Sequence, residues 1–387
     1  MLESLVTDLY WPREGAWVRR VKPLLPGRIE RKLSRRSAAA LPASRVKACP
    51  VSGSLALACD HSALPFRVQQ ASMRRCDHHL GKRAAQIANA RGSALLSYSY
   101  YGYSAFTHFQ RELPRILFQL HSHPLSARAI LQDERSLHPD SAPSLNREWE
   151  LALPEADFQA LVEESRMADY WICASSFTKQ TLVGNGAAPE RIHVVPYGVD
   201  LERFQPKHIE RPLNTPLQVL FVGTVCERKG IRYLLDAIET LPAGSVHLTI
   251  CGRSAGPISV RASAPARVRS FVTTEELLHE YQSADVFVFP SLLEGFGHVL
   301  LEAMACGLPV ISTTRTAAPD LVREGLEGFV ISPGNACEVA RCLEYFLSNP
   351  GSTRTMGRAA RMRAEEFTWK KFRCGIVEAV RAICKPA

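Results

Sequence analysis

The chain has 387 residues, 46% hydrophobic and 22% charged, which fits a soluble globular protein large enough for two or three domains. No apolar stretch approaches the roughly 20 residues that span a bilayer. The start, MLESLVTDLYWP, has no cationic segment followed by an apolar one, so no signal peptide is expected and the expected location is cytoplasmic.

The net charge of +9 is local. Residues 11–50 hold eleven Lys and Arg against Glu14 and Glu30, a surplus that equals the charge of the whole chain. Such a stretch suits an anionic membrane surface, which would make the chain peripheral there, or an anionic substrate. A solvated cationic face is the plainer alternative. No nucleic-acid motif accompanies it, so no nucleic-acid partner is expected. The 11 cysteines are scattered, and none forms Cys-x-x-Cys. That fits reduced thiols and speaks against cysteine-bound zinc.

In chain order, the first half offers strands at 4–10, 45–50, 94–100, 115–121, 169–175 and 191–196, with helices between them. It reads as α/β. SYSYYGYSAF, 97–106, sets four tyrosines at a strand end, where aromatic rings stack on sugars or simply pack. LFQLHSHP ends another strand with His121 and His123. Either histidine can serve as a base or a hydrogen-bond donor. As metal ligands they lack a third partner, and no metal site is expected. Residues 198–216, rich in proline and without clean periodicity, read as a linker.

The second half alternates more regularly. Short β-branched runs at 217–223, 246–252, 267–272, 285–291, 308–314 and 328–333 are separated by helix-like stretches such as IRYLLDAIETL and TEELLHEYQSA. This spacing predicts βαβ units, a parallel sheet and a doubly wound Rossmann-like domain. After the strand DVFVFPS comes LLEGFGHVLLEAMACG. A helix beginning near Gly297 or His298 would aim its first-turn amides, over Gly295 to Leu300, at an anion. The glycines would let backbone approach the ligand. Glu294 precedes this helix and Glu302 sits within it. Like charges repel, so neither acid serves a diphosphate, but both accept hydrogen bonds from hydroxyls. Two acids flanking an anion site suggest hydroxyls on both sides of the phosphates, the layout of a nucleotide-sugar. The alternative is one cap and one surface position. In VGTVCERKGI, Arg228 and Lys229 follow a strand-end Gly223, where cations can pair with a leaving diphosphate.

EGFGHVLLEAMACGLPVIST, with its E-x7-E spacing, resembles the donor motif of family 4 glycosyltransferases of the GT-B fold. The resemblance extends over most of 170–385 and includes ADYWICASSFTKQTL, RIHVVPYGVDLERFQP, LFVGTVCERKGIRYLLDAI and FVTTEELLHEYQSADVFVFPS. It implies two Rossmann-like domains facing each other across a cleft. The acceptor domain would cover 1–197 and the donor domain 217–367, with 368–387 crossing back. It further implies that Glu294 contacts sugar hydroxyls, Glu302 the ribose and Lys229 the phosphates. Gly252, Arg253, Val272 and Thr273 would line the nucleotide side. Phe296, Gly297, His298 and Val299 would complete the donor turn. A histidine near 121–123 would sit by the transferred sugar, and which of the two remains open. Thr224 stands where the family often has arginine. The first strand is followed only by Gly15 rather than by a glycine-rich loop.

The activity implied is a retaining, metal-independent transfer of a hexosyl-type sugar from a nucleotide-diphosphate sugar, which acts as co-substrate with no further cofactor. Polysaccharide, lipid-linked and small-molecule acceptors all fit. The absence of Asp-x-Asp leaves the phosphate charge to protein groups. An epimerase or phosphorylase of the same fold, or a non-catalytic partner subunit, are the alternatives.

Overall fold

The computed structural model describes residues 5–7, 46–48, 66–110, 112–207, 215–254 and 266–385. The chain falls into two compact units, Met1–Leu117 with Glu163–Tyr170, and Phe118–Val162 with Trp171–Ala387. Strands β1 (Leu5–Thr7) and β2 (Val46–Ala48) pair in parallel. The rest of the basic stretch 11–50, with Gly15, lies outside the described residues. Among the described residues, no helix is long and apolar enough to cross a membrane.

In the first unit, helix Phe66–Arg91 packs on helix Gly102–Thr107 where Gly81 gives the space: a Cβ there would stand 2.6 Å from the Ala105 nitrogen. Between them runs β3 (Leu95–Tyr98). The tyrosine-rich stretch is held from beneath by Glu164. Its buried carboxylate accepts the amides of Tyr100 (2.6 Å), Gly102 (2.8 Å) and Tyr103 (3.2 Å). Tyr100 takes φ 76, unusual for a residue with a side chain. The rings of Tyr98, Tyr101 and Tyr103 are exposed, so core packing does not account for them. Strand β4 (Arg115–Gln119) begins in this unit, where the Arg115 guanidinium makes a two-pronged contact with Asp169.

In the second unit, β5 (Tyr170–Cys173) and β6 (Ile192–Val194) pair in parallel, Trp171 opposite Ile192. The main sheet follows from the apolar runs of the C-terminal half. It contains β7 (Leu217–Val222), β8 (Val246–Cys251), β9 (Ala266–Arg269), β10 (Val286–Phe289), β11 (Val310–Thr313) and β12 (Gly328–Ile331). All pairs are parallel, in the order β12-β11-β10-β7-β8-β9. β10 and β11 are buried at every position, as expected of strands covered on both faces. Helix Ile231–Glu239 buries Ile231, Leu234, Leu235 and Ile238, the spacing of one helical face.

Two predicted elements are shorter than their patterns suggest. The strand expected at 267–272 ends at Arg269, because Thr273 is drawn into a capping box with Glu276 that starts helix Thr274–Ser283. The helix-like stretch between the runs at 308–314 and 328–333 makes one turn, Ala318–Leu321, and Val322 is already extended.

The last helix, Trp369–Ile383, returns to the segment after β6. The Val199 amide donates to the Phe367 carbonyl at 3.0 Å, and Phe372 packs on Phe118 and Tyr197. Gly198 is required here, since a Cβ would stand 2.1 Å from the Trp369 nitrogen. This is the crossing-back helix that the sequence led one to expect.

The strand order reverses between β7 and β10, and ligands of open parallel sheets bind beyond the carboxyl ends of the strands at such a point. There Gly230, at φ 70, lies under Pro290, whose carbonyl oxygen would be 1.9 Å from an added Cβ. Gly230→Ala is expected to lower stability by about 3 kcal/mol through backbone strain and overpacking, read as a shift in the urea midpoint at constant slope.

Candidate active site

A cavity of about 310 Å3 opens at this reversal, wholly within the second unit. Val222 and Gly223 enter it from the end of β7, and Phe289 from the end of β10. Lys229 follows from the turn after β7. Glu294, Gly295, Phe296, Gly297, His298 and Val299 follow from the loop after β10. Leu120, His121 and Tyr197 close the other side.

Glu294 is the electrostatic centre of the site. Its Oε1 takes the Lys229 ammonium, Nη1 of Arg228 at 2.6 Å and the Ser291 hydroxyl at 3.3 Å. Burial alone would raise its carboxyl, but Arg228 and Lys229 overturn that and hold it at about 2. Arg228 does not line the cavity. It stands behind Glu294, and its Nε donates to Glu148 at 2.7 Å. Burial opposes its charge, yet Glu294 and Glu148 raise its pKa. The loop is fixed through Arg228 as well, for its carbonyl accepts the Leu292 amide at 2.9 Å and the Ser291 hydroxyl at 3.0 Å. Among the described residues, only Lys229 therefore offers a cation to the cavity wall, and its Nζ also lies 5.2 Å from the centre of the Phe289 ring.

The two glycines of Gly-Phe-Gly have different reasons. A Cβ on Gly295 would stand 1.9 Å from the Leu120 carbonyl oxygen, so backbone crowding by the β4 segment demands glycine there. The Gly295 carbonyl is anchored by the Ser175 hydroxyl at 2.6 Å and the Thr178 hydroxyl at 3.2 Å. Gly297, at φ 86, is the N-cap of helix His298–Ala305. It brings no side-chain oxygen to the first turn, which leaves that turn without a side-chain cap, the arrangement in which first-turn amides can receive an anion. The Leu300 amide already donates to the Gly297 carbonyl at 3.0 Å, and the Leu300 side chain belongs to the core.

The two histidines separate. His121 lines the cavity, and its packed surroundings lower its pKa against the pull of Glu294 and Glu150. His123 is buried and caps helix Pro124–Leu137, its Nδ1 accepting the Leu125 amide at 3.3 Å. His298 stacks on Tyr197 with centroids 4.5 Å apart, and burial lowers its pKa.

Several other residues singled out from sequence lie outside the cavity lining. Thr224 is exposed. Gly252 abuts Gly223, whose carbonyl oxygen would be 1.7 Å from an added Cβ, so strand-end packing fixes it. Arg253 stacks 5.0 Å from Phe271. Val272 packs on the core and Thr273 is a helix cap. Glu302 accepts from the Tyr281 hydroxyl at 2.9 Å, and burial raises its carboxyl. Tyr197 and Glu148 carry parts of the site that sequence reasoning did not assign. Tyr197 stood in a quoted motif, RIHVVPYGVD, whereas Glu148 had no local signal.

The depressed carboxyl of Glu294 has a consequence for acid stability. Its stabilising effect is present above the unfolded value near 4.5 and is lost as pH falls towards about 2. Glu294→Gln should therefore flatten the loss of stability across that window by roughly 3 kcal/mol, measured as urea unfolding at stepped pH.

The family model for glycosyl transferases group 1 matches residues 205–363. The sulfoquinovosyl transferase SQD2 of Arabidopsis thaliana is 28% identical over 218 residues, 53% of this chain and 43% of that protein. A D-inositol 3-phosphate glycosyltransferase of Streptomyces bingchenggensis is 32% identical over 211 residues, 48% and 46% of the two chains. The chain spans about half the length of the curated relatives it matches. Among solved structures, Anabaena HepE in complex with UDP-glucose is similar at a TM-score of 0.60 and 17% identity, over 97% of this chain and 99% of that one. The sheet order, the cavity at its reversal and these likenesses agree: the chain has the GT-B fold, and its residues 205–363 match the model of glycosyl transferases group 1.

Proposed function

We propose that the chain is a retaining glycosyltransferase that moves a hexosyl-type sugar from a nucleotide-diphosphate sugar to a polysaccharide, lipid-linked or small-molecule acceptor. One observation carries this reading. Lys229, Glu294 and an uncapped helix N-terminus meet in a single cavity at the strand-order reversal. The likeness to HepE, solved with UDP-glucose, supports the donor class. The division into an acceptor part, 1–197 with the returning 368–387, and a donor part, 217–367 after the linker 198–216, belongs to the same reading.

In the reaction the bond from the anomeric carbon to the diphosphate breaks, and negative charge grows on the departing oxygen. Lys229 and the His298 and Val299 amides are placed to stabilise that charge. Glu294 accepts hydrogen bonds from sugar hydroxyls and orients the ring, and Glu302 serves the ribose. His121, neutral at pH 7 because its pKa is lowered, can hydrogen-bond the sugar without adding charge. Charge on the diphosphate is met by protein groups, and no metal is required. The cationic stretch 11–50 suits an acceptor held at an anionic membrane.

Glu294→Ala and Lys229→Ala are each expected to lower turnover by about 10²–10³-fold with the fold intact, measured as nucleotide release from a panel of nucleotide-sugars with acceptor. Near-wild-type turnover by either variant counts against the donor site. A chelator is expected to leave the rate unchanged, and a large loss contradicts metal independence. The same assay without acceptor separates transfer from epimerisation, which changes the donor sugar alone.

A further inference from the structure

Glu294 and a diphosphate contend for one cation. Of the two cations on the Glu294 carboxylate, Arg228 is also engaged by Glu148 and stays out of the cavity wall. Lys229 shares that wall with Glu294 and rests on its Oε1. The Glu294 side chain is only 10% exposed, so little water can reach the carboxylate to replace the ammonium if it leaves. A phosphate that draws Lys229 away must therefore leave the carboxylate short of one partner and place a second anion nearby. Hydroxyl groups at the carboxylate relieve both costs, because they donate where the ammonium did.

We infer that Glu294 is a specificity-determining residue that favours the sugar-bearing nucleotide over the bare nucleoside diphosphate, by reclaiming Lys229 whenever no sugar hydroxyls occupy its carboxylate. The inference rests on the reading of this cavity as the donor site. With the donor bound, sugar hydroxyls satisfy Glu294 and Lys229 serves the phosphates. Once the sugar has gone to the acceptor, the carboxylate loses those donors and competes again for the ammonium. The diphosphate is held less tightly and leaves. One residue then serves transfer and product release, and removing its charge should move the two in opposite directions.

The test is calorimetric titration of the full chain with UDP, ADP and GDP, beside turnover. Glu294→Gln is expected to bind the preferred diphosphate roughly tenfold or more tightly than the wild type while transfer falls. Glu294→Asp, which keeps the charge, is expected to bind it as the wild type does. In a Lys229→Met background the gain from Glu294→Gln should vanish, because the contested cation is gone. Equal or weaker binding by Glu294→Gln overturns the inference, as does a gain that persists without Lys229 or that Glu294→Asp reproduces. Should Glu294→Gln melt out in a thermal scan, Glu148→Gln takes its place. It leaves Arg228 to Glu294 alone, loosens Lys229 and is expected to tighten diphosphate binding a few-fold; unchanged or weaker binding overturns the inference. If no diphosphate binds the wild type, or if Lys229→Met alone changes nothing, the donor-site reading itself fails.

Discussion

A carboxylate taken out of water must be paired, and at Glu294 the pairing reaches across the site. Its partners, Arg228 and Lys229, stand on the turn after β7, while Glu294 stands on the loop after β10. Removing one side of such a buried network strands charge at a cost of several kcal/mol, so the two loops are held as one body. Glu148 extends the alternation of charge to four groups, two acids and two bases, so that the cluster is neutral by formal charge. The arrangement keeps an acid ionised where burial alone would protonate it.

The sheet makes this meeting possible. Because the strand order reverses between β7 and β10, the adjacent helices leave on opposite faces and a crevice opens between the two strand ends. Glycines let the chain close around it. Gly230 passes beneath the Pro290 carbonyl, Gly252 beside the Gly223 carbonyl and Gly295 against the Leu120 carbonyl, each at a distance that no side chain tolerates. Tyr197, stacked on His298 and packed against Phe372 of the last helix, ties the entrance to the C-terminal segment. The proposed transfer chemistry draws on this arrangement: two first-turn amides and one cation for the leaving group, and a single acid for the sugar.

Much of the fold was legible because strands buried on both faces are written as unbroken apolar runs. Val286 to Phe289 needed no partner to be recognised. The boundaries were less so where a cap competed, as at Thr273, or where one turn sufficed, as at Ala318–Leu321. At the site, Lys229 and the segment from Glu294 to Val299 were nameable because they follow strand ends, where ligands of open sheets bind, while His121 was nameable only together with His123. Gly295 was read as letting backbone approach a ligand and Gly252 as lining the nucleotide side, whereas a Cβ on either would meet backbone.

By itself, then, the amino-acid order determined the alternation of strand and helix, the parallel sheet and the charged groups at its carboxyl end, since those depend on residues a few positions apart. The choice between His121 and His123 depended on direction at the end of β4: one ring faces the cavity and the other caps a helix. The turning of Arg228 away from the cavity towards Glu148, 80 positions earlier, was decided by tertiary structure alone. A buried guanidinium goes to whichever acids the fold brings within reach, and no local pattern records which those will be.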